Sequence, residues 1–291
     1  MVNIIDVGAN FGSFGLELAK RNSQTFVHMI EPVPDLAREL RVKCATEGVS
    51  NILVHELALA ETDGEAELFV SVSGDCGTTS MLPFDEGKIS TDPYWAQRSD
   101  LRHETKVRVQ TLRLSTFMEK NGIDQIDFIK IDVQGLDLAV LASAGDYISS
   151  VRAGMLEVCT TEKNALYFGE KQDLRIVLNF LEDHGFKVVA IKPNDPACNE
   201  VNVFFSRDPE TWDKDTVAWG LFGLPAFDGK HYWHACSSSP EYGDDLNRQL
   251  QAENLRLRTR LEVQDVEIDR LSKRISDLDF EIARICEHIV K

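Results

Sequence analysis

Asp6, Glu31, Lys130, Asp132 and Glu157 are the residues whose type and position could do chemistry. Asp6 opens the turn Asp6-Val-Gly-Ala-Asn-Phe-Gly12, at the end of an apolar run over residues 2–7. Gly8 lets the backbone turn sharply, and Gly12 lets a helix begin close to a ligand. Glu31 closes the second run, Phe26-Val-His-Met-Ile-Glu31, just before Pro32. An acid at the carboxyl end of that strand accepts hydrogen bonds from ribose hydroxyls. Together these residues describe a nucleoside-binding half of a doubly wound sheet.

The glycine spacing narrows the ligand. Gly8, Gly12 and Gly15 give GxxxGxxG, where a pyrophosphate-binding loop has GxGxxG. A looser turn with an acid at its start suits a cofactor with a ribose, an adenine and a zwitterionic amino-acid end. S-adenosylmethionine (SAM) has those parts. The turn alone leaves open a nicotinamide or flavin site, or a scaffold that binds nothing.

The elements that must position these residues follow from apolar patterning. Strands are predicted at 2–7, 26–31, 52–59, 65–72, 128–131 and 155–158, with a closing pair at 187–191 and 201–205. Helices are predicted around Leu16 to Ala19 and over 36–45, 136–148 and 174–181. Alternating strands and helices argue for an α/β fold with a mostly parallel sheet. Residues 73–106 read as one long polar loop, as a lid would. Within it Tyr94 and Trp95 could stack on a sugar ring or simply pin the loop.

A second stretch carries a family resemblance. Val107 to Phe117 is rich in threonine and leucine, and Lys130-Ile-Asp-Val-Gln-Gly135 follows a strand. With Asp6-Val-Gly-Ala-Asn-Phe-Gly12 and Glu31-Pro32, the chain over residues 3–206 resembles the FkbM-type SAM-dependent O-methyltransferases. That resemblance implies a Rossmann-like class I methyltransferase sheet whose last strand is antiparallel. It implies a threonine- and leucine-rich strand over 107–117. It also implies cofactor contacts at Asp6, Gly8, Asn10, Gly12, Glu31 and Ala58, and at Thr79 and Ser80 of the Gly77-Thr-Thr-Ser80 segment. Two positions depart from the pattern: Gln134 stands where the family has Glu, and Asp137 where Glu is frequent. The sequence begins on the first strand, so the segment that often precedes it in this fold is expected to be absent.

Methyl transfer from a sulfonium is an in-line displacement, and orientation supplies much of the rate. An alkyl or sugar hydroxyl also needs a base or a metal to take its proton. Asp132, at a strand end where open α/β sheets hold ligands, is the first candidate and Glu157 the second. Lys130 is expected to orient Asp132 or the backbone. A loop-capping role is the alternative for Asp132. The two carboxylates could hold a divalent cation through oxygen, although no metal-ligand motif supports one. The expected acceptor is a hydroxyl of a sugar or glycan, with another small alcohol (polyketide or lipid-linked) as the alternative. A catalytically silent assembly module is the third possibility.

Composition excludes some partners. With 31 Lys and Arg against 48 Asp and Glu, the formal charge is −17. Such a chain has no evident basic stripe for a phosphate backbone or an anionic lipid surface. No apolar stretch is long enough to span a bilayer, and no signal peptide opens the sequence. The six cysteines are scattered without a CxxC pair, so a cytoplasmic protein is expected.

Three segments are expected: a methyltransferase domain at 1–206, an aromatic connector at 207–245 and a coiled coil at 246–291. The connector carries Trp212, Trp219, Phe222, Phe227, Tyr232 and Trp233. Its His231 and His234 lack a third ligand nearby. From Asn247 a heptad places Asn247, Asn254, Leu261, Ile268, Ile275, Ile282 and Ile289 at a, and Leu250, Leu257, Gln264, Leu271, Leu278 and Ile285 at d. Isoleucine at a with leucine at d favours a parallel homodimer. Arg274 and Asp279 around Ile275 and Leu278 resemble trimer-favouring coils. The repeat runs to the last residues, so the natural chain is expected to continue.

Overall fold

The computed structural model describes residues 2–21, 23–72 and 75–208. In chain order the elements are β1 (Val2–Val7), α1 (Gly15–Arg21), β2 (Thr25–Ile30), α2 (Pro34–Thr46), β3 (Ile52–His55), β4 (Ala58–Leu59), β5 (Gly64–Val70) and α3 (Glu86–Thr91). They continue with β6 (Thr105–Leu112), α4 (Leu114–Asn121), β7 (Phe128–Ile131), α5 (Asp137–Ala142), β8 (Ala153–Cys159), α6 (Leu174–Asp183), β9 (Lys187–Pro193) and β10 (Glu200–Ser206). Seven strands form the main sheet in the order β3-β2-β1-β7-β8-β10-β9.

Successive residues of a strand point to opposite faces, and β1 is apolar on both. Ile4 joins Leu16, Leu18, Met29, Leu40 and Phe128 on one side. Ile5 and Val7 join Phe117, Ile129, Leu141 and Leu156 on the other. Burial on both faces is why the strand reads as a continuous apolar run. The pairings β1–β2, β2–β3, β1–β7 and β7–β8 are parallel, while β10 is antiparallel to both of its neighbours. The chain leaves β1 toward β2 and later returns on the other side as β7. The crevice between the carboxyl ends of β1 and β7 is therefore the switch point where open α/β sheets bind ligands.

Several predicted elements change. Residues 52–59 are not one strand. The last β2–β3 rung is Glu31 N–H to His55 O, and Pro32 has no N–H to extend it. Ala58–Leu59 then pairs with β6 in a separate three-stranded sheet, β4-β6-β5. The strand predicted over 107–117 ends at Leu112. There Asp63 accepts the Arg113 N–H (2.7 Å) and the Thr116 hydroxyl (2.8 Å). Leu114, Phe117 and Met118 follow at helical spacing, all fully buried, and form α4. Residues 73–106 are not one long loop: 76–78 and 95–97 are 3₁₀ turns, 86–91 is α3, and β6 starts at Thr105. The helix over 136–148 is α5 followed by a 3₁₀ segment at 145–150, with Gly145 in the left-handed region between them. The connector beyond residue 208, including His231 and His234, and the coiled coil at 246–291 lie outside the described residues.

His28 and His55 join β2 to β3 beside Glu31. Their ring nitrogens stand 3.0 Å apart, and both rings meet Phe117 edge-on. Burial, with His55 beside His28 and Arg41 beside His55, lowers each ring from 6.5 to about 4. Between those values the folded state binds fewer protons than the unfolded chain. The pair's contribution is therefore complete above pH 6.5 and is lost as pH falls to 4. The urea midpoint of the native chain should fall more steeply over this interval than that of His28→Gln/His55→Gln. Equal slopes would remove the pair as a source of acid sensitivity.

Candidate functional site

The β1–β7 switch point is built on a very close backbone approach. Gly8 has φ +75°, and a Cβ there would lie 1.9 Å from the carbonyl oxygen of Asp132. Only glycine fits. The Asp132 N–H donates to Val7 O at 3.1 Å, so the two strand ends continue side by side.

Beneath this turn lies a charge cluster. Asp6 is fully buried, and its Oδ2 accepts the Gly15 N–H at 3.0 Å, fixing the start of α1. Lys130, opposite Asp6 in the register, puts its Nζ 3.5 Å from Asp6 Oδ1 and 3.2 Å from Asp132 Oδ2. It also donates to Gly8 O at 3.2 Å. Burial disfavours the ammonium, but Asp132 and Asp6 together hold it above the usual lysine value. Burial also opposes ionisation of Asp132. Lys130 and the neighbouring hydrogen bonds outweigh that and bring its carboxyl below the usual range. Burial pushes Asp6 up against the pull of Lys130. The side chain of Asp132 keeps 27% of its surface exposed, against 7% for Lys130 and 0% for Asp6.

Glu31 is 4% exposed at the end of β2. Its Oε2 accepts the Asn10 N–H (2.7 Å) and its Oε1 the Val33 N–H (2.9 Å). Burial raises its carboxyl to about 7 despite those two bonds. Asn10 is left-handed, with φ +48°. Its side-chain oxygen is buried without a hydrogen-bond partner.

The remaining sequence candidates fall into two groups. Glu157 is buried in β8 and comes next to Asp132. The amide nitrogen of Gln134 donates to Asp132 Oδ1 (2.8 Å) and also to Glu157 Oε2. Burial first, then Asp132, pushes Glu157 well above the ordinary range. Ser80 donates to the Gln134 backbone carbonyl at 2.6 Å, so the 76–82 segment is tied to this point. Thr79 accepts the N–H of Ser71, the residue after β5, at 3.2 Å. Gly12 shapes the first turn, its N–H donating to Ala9 O. Ala58 belongs to the small sheet's core with Leu68, Val70 and Val109, against which Val33 packs. Trp95 is 2% exposed and donates from its indole to Asn164 O, so it pins its segment.

Sequence reasoning missed Tyr167 and Asn194. The Tyr167 hydroxyl donates to Gln134 Oε1 (2.7 Å), and Asn194 Nδ2 donates to Glu157 Oε1. Both come from connecting segments without a local pattern. Among the described residues no group of three or more His, Cys, Asp or Glu could hold a metal ion.

The FkbM methyltransferase domain family matches residues 6–188, more than half of the chain. The chain belongs to that family. It is a SAM-dependent methyltransferase with the Rossmann-like α/β sheet of class I. "Methyltransferase 1" of Beauveria bassiana is 23% identical over 194 residues, covering 66% of this chain and 74% of the relative. "2-O-methyltransferase NoeI" of Sinorhizobium fredii is 25% identical over 190 residues, covering 65% and 74%. Among solved structures, Aeropyrum pernix fibrillarin with bound S-adenosyl-L-methionine matches at a TM-score of 0.40 and 11% identity, over 70% of this chain and 66% of that one.

The residues present fit SAM. The unpartnered Asn10 oxygen is an acceptor for an ammonium donor, and each Glu31 oxygen keeps a lone pair for a hydroxyl. When bound, SAM supplies a methyl group activated by a sulfonium.

Removing one partner of a buried ion pair costs about 3–5 kcal/mol. Lys130→Met should destabilise the chain by that order in urea titrations. Adding Asp6→Asn should restore part of the loss, because it removes an orphaned charge. No recovery in the double variant would show that Lys130 acts by packing alone.

Proposed function

We propose that this methyltransferase transfers the methyl group to a hydroxyl of a sugar or glycan, with Asp132 as the base. The observation that carries the reading is the contrast within the charge cluster. Asp132 is ionised and partly exposed at the carboxyl end of β7, whereas Asp6 and Lys130 are covered. The acceptor hydroxyl gives its proton to Asp132 as its oxygen attacks the methyl carbon. Lys130 stays charged and fixes the carboxylate. Glu31 holds the ribose, with Gly8, Asn10 and Gly12 shaping the amino-acid end. Ala58, Thr79 and Ser80 complete the cofactor surround. The name of the NoeI relative supports an oxygen acceptor.

Incubation with candidate glycans and small alcohols tests the reading by a mass gain of one methyl. Asp132→Asn keeps the shape but loses basicity, and turnover should fall by roughly 10²-fold or more. Near-normal turnover would rule out the base. Methylation of small alcohols but not glycans would move the substrate class. Glu31 gives a second check. Ribose hydroxyls favour its ionised form, so a proton must leave Glu31 for tight binding below about pH 7. SAM affinity should rise with pH up to that value and level off above it. Glu31→Gln should flatten the profile, as read by calorimetry.

The division at 206 and 245, and the coiled coil, belong to the same proposal. A six-heptad seam cannot bury its apolar side chains alone. It would join chains in parallel, as a dimer before a trimer, and hold the methyltransferase domains on a stiff rod of ~65 Å. Ile275→Asp with Leu278→Asp should yield a monomer by light scattering, with the domain still folded. A monomeric native chain at micromolar concentration would end the coil reading.

A further inference from the structure

Asp132 and Glu157 reach the same nitrogen. Two carboxyls this close, one of them buried, cannot both ionise cheaply, because like charges repel. The side-chain amide of Gln134 bridges them. Its nitrogen faces both acids, and its Oε1 stands 2.7 Å from the Tyr167 hydroxyl, which also reaches Thr78 O at 3.1 Å.

The surroundings hold this arrangement from several directions. Gln134 has φ +63°, and its carbonyl accepts the Ser80 hydroxyl. A Cβ on Gly135 would lie 3.1 Å from the Tyr167 ring, so glycine there lets the ring close in. Tyr167 is fully buried and stacks on Phe84 with centroids 5.5 Å apart. Asn194 occupies the other oxygen of Glu157, and Asn202 donates to Asn194 Oδ1 at 3.3 Å.

We infer that Gln134 is a positioning residue for methyl transfer: its amide donates to Asp132 and Glu157 at once and holds Asp132 in place as the base. The inference rests on the proposed role of Asp132. Lys130 of β7 reaches Asp132 directly. Asp6 of β1, Asp137 of α5, Glu200 of β10 and Glu170 of the β8–α6 segment are further acids facing the pair, each pushed up by burial toward its neutral form, as is the Tyr167 hydroxyl. Burial pushes Glu157 up and Lys130 helps to bring Asp132 down, in keeping with a proton on Glu157. A carboxylate at position 134 would add another charge where the fold has placed two donors.

The test uses the full chain with Gln134→Met, which keeps the length without donors, Gln134→Glu, which adds an acid, and Tyr167→Phe. We expect SAM affinity to be unchanged in all three. For the Gln134 variants kcat should fall between about tenfold and a hundredfold, with KM for the acceptor little altered. The acid limb of the kcat profile should move to higher pH by about one unit, because ionised Asp132 loses a donor. Tyr167→Phe should shift the limb in the same direction by less. A ¹³C-carboxyl titration of the cofactor-free protein provides the readout that does not need turnover, with Asp132→Asn assigning the resonance. Unmoved carboxyl titrations in Gln134→Met overturn the inference. If they move as expected while Asp132→Asn keeps full turnover, the pairing stands and the base assignment fails. A Gln134→Met profile that coincides with the native one, beside an inactive Asp132→Asn, overturns the positioning role.

Discussion

The ammonium of Lys130 is the interaction on which the switch point depends. A doubly wound sheet brings the ends of β1 and β7 together, and here each end carries an acid. Asp6 is needed to hold the start of α1, and Asp132 stands where an acceptor would arrive. Left alone, two carboxylates that close would take up a proton or drive the strands apart. Lys130 stands opposite Asp6 in the register, its Nζ reaches both carboxylates, and the same nitrogen reaches the Gly8 carbonyl. One cation thus fixes the turn, the helix start and the charge state of the exposed acid. A buried ion pair of this kind contributes little net stability compared with apolar packing. Its value lies in holding a geometry.

Much of this was legible in the sequence where burial leaves a simple trace. The strands at 2–7, 26–31, 128–131 and 155–158 are covered on both faces, and such strands read as unbroken apolar runs. Their carboxyl ends locate Asp6, Glu31, Asp132 and Glu157 without further help. The closing pair at 187–191 and 201–205 was legible because a Pro-Asn-Asp-Pro turn separates two largely apolar segments.

What was not legible depends on partners far away in the chain. The run 52–59 is apolar but for His55 and Glu56, and nothing local says that its first half pairs with β2 and its second with β6. Leu114, Phe117 and Met118 carry helical spacing, but the start of α4 is set by Asp63, a residue of another loop. Tyr167 and Asn194 sit in connecting segments where no period exists to be read. They matter through single bonds to Gln134 and Glu157, and such bonds leave no pattern in the sequence. Gln134 was visible only as a departure from a family motif. Its meaning required the positions of both acids.

The contact between Gly8 and the Asp132 carbonyl has a consequence for how such a chain can change over generations. No side chain of any size fits at position 8 while the β7 strand end keeps its path. The first motif and the motif after β7 therefore form one heritable unit, although most of the domain separates them in the sequence. A lineage that shifts one must shift the other, or lose the crevice before any new substrate can be tried. Diversity is pushed outward instead, into segments such as 86–97, which lie off that junction.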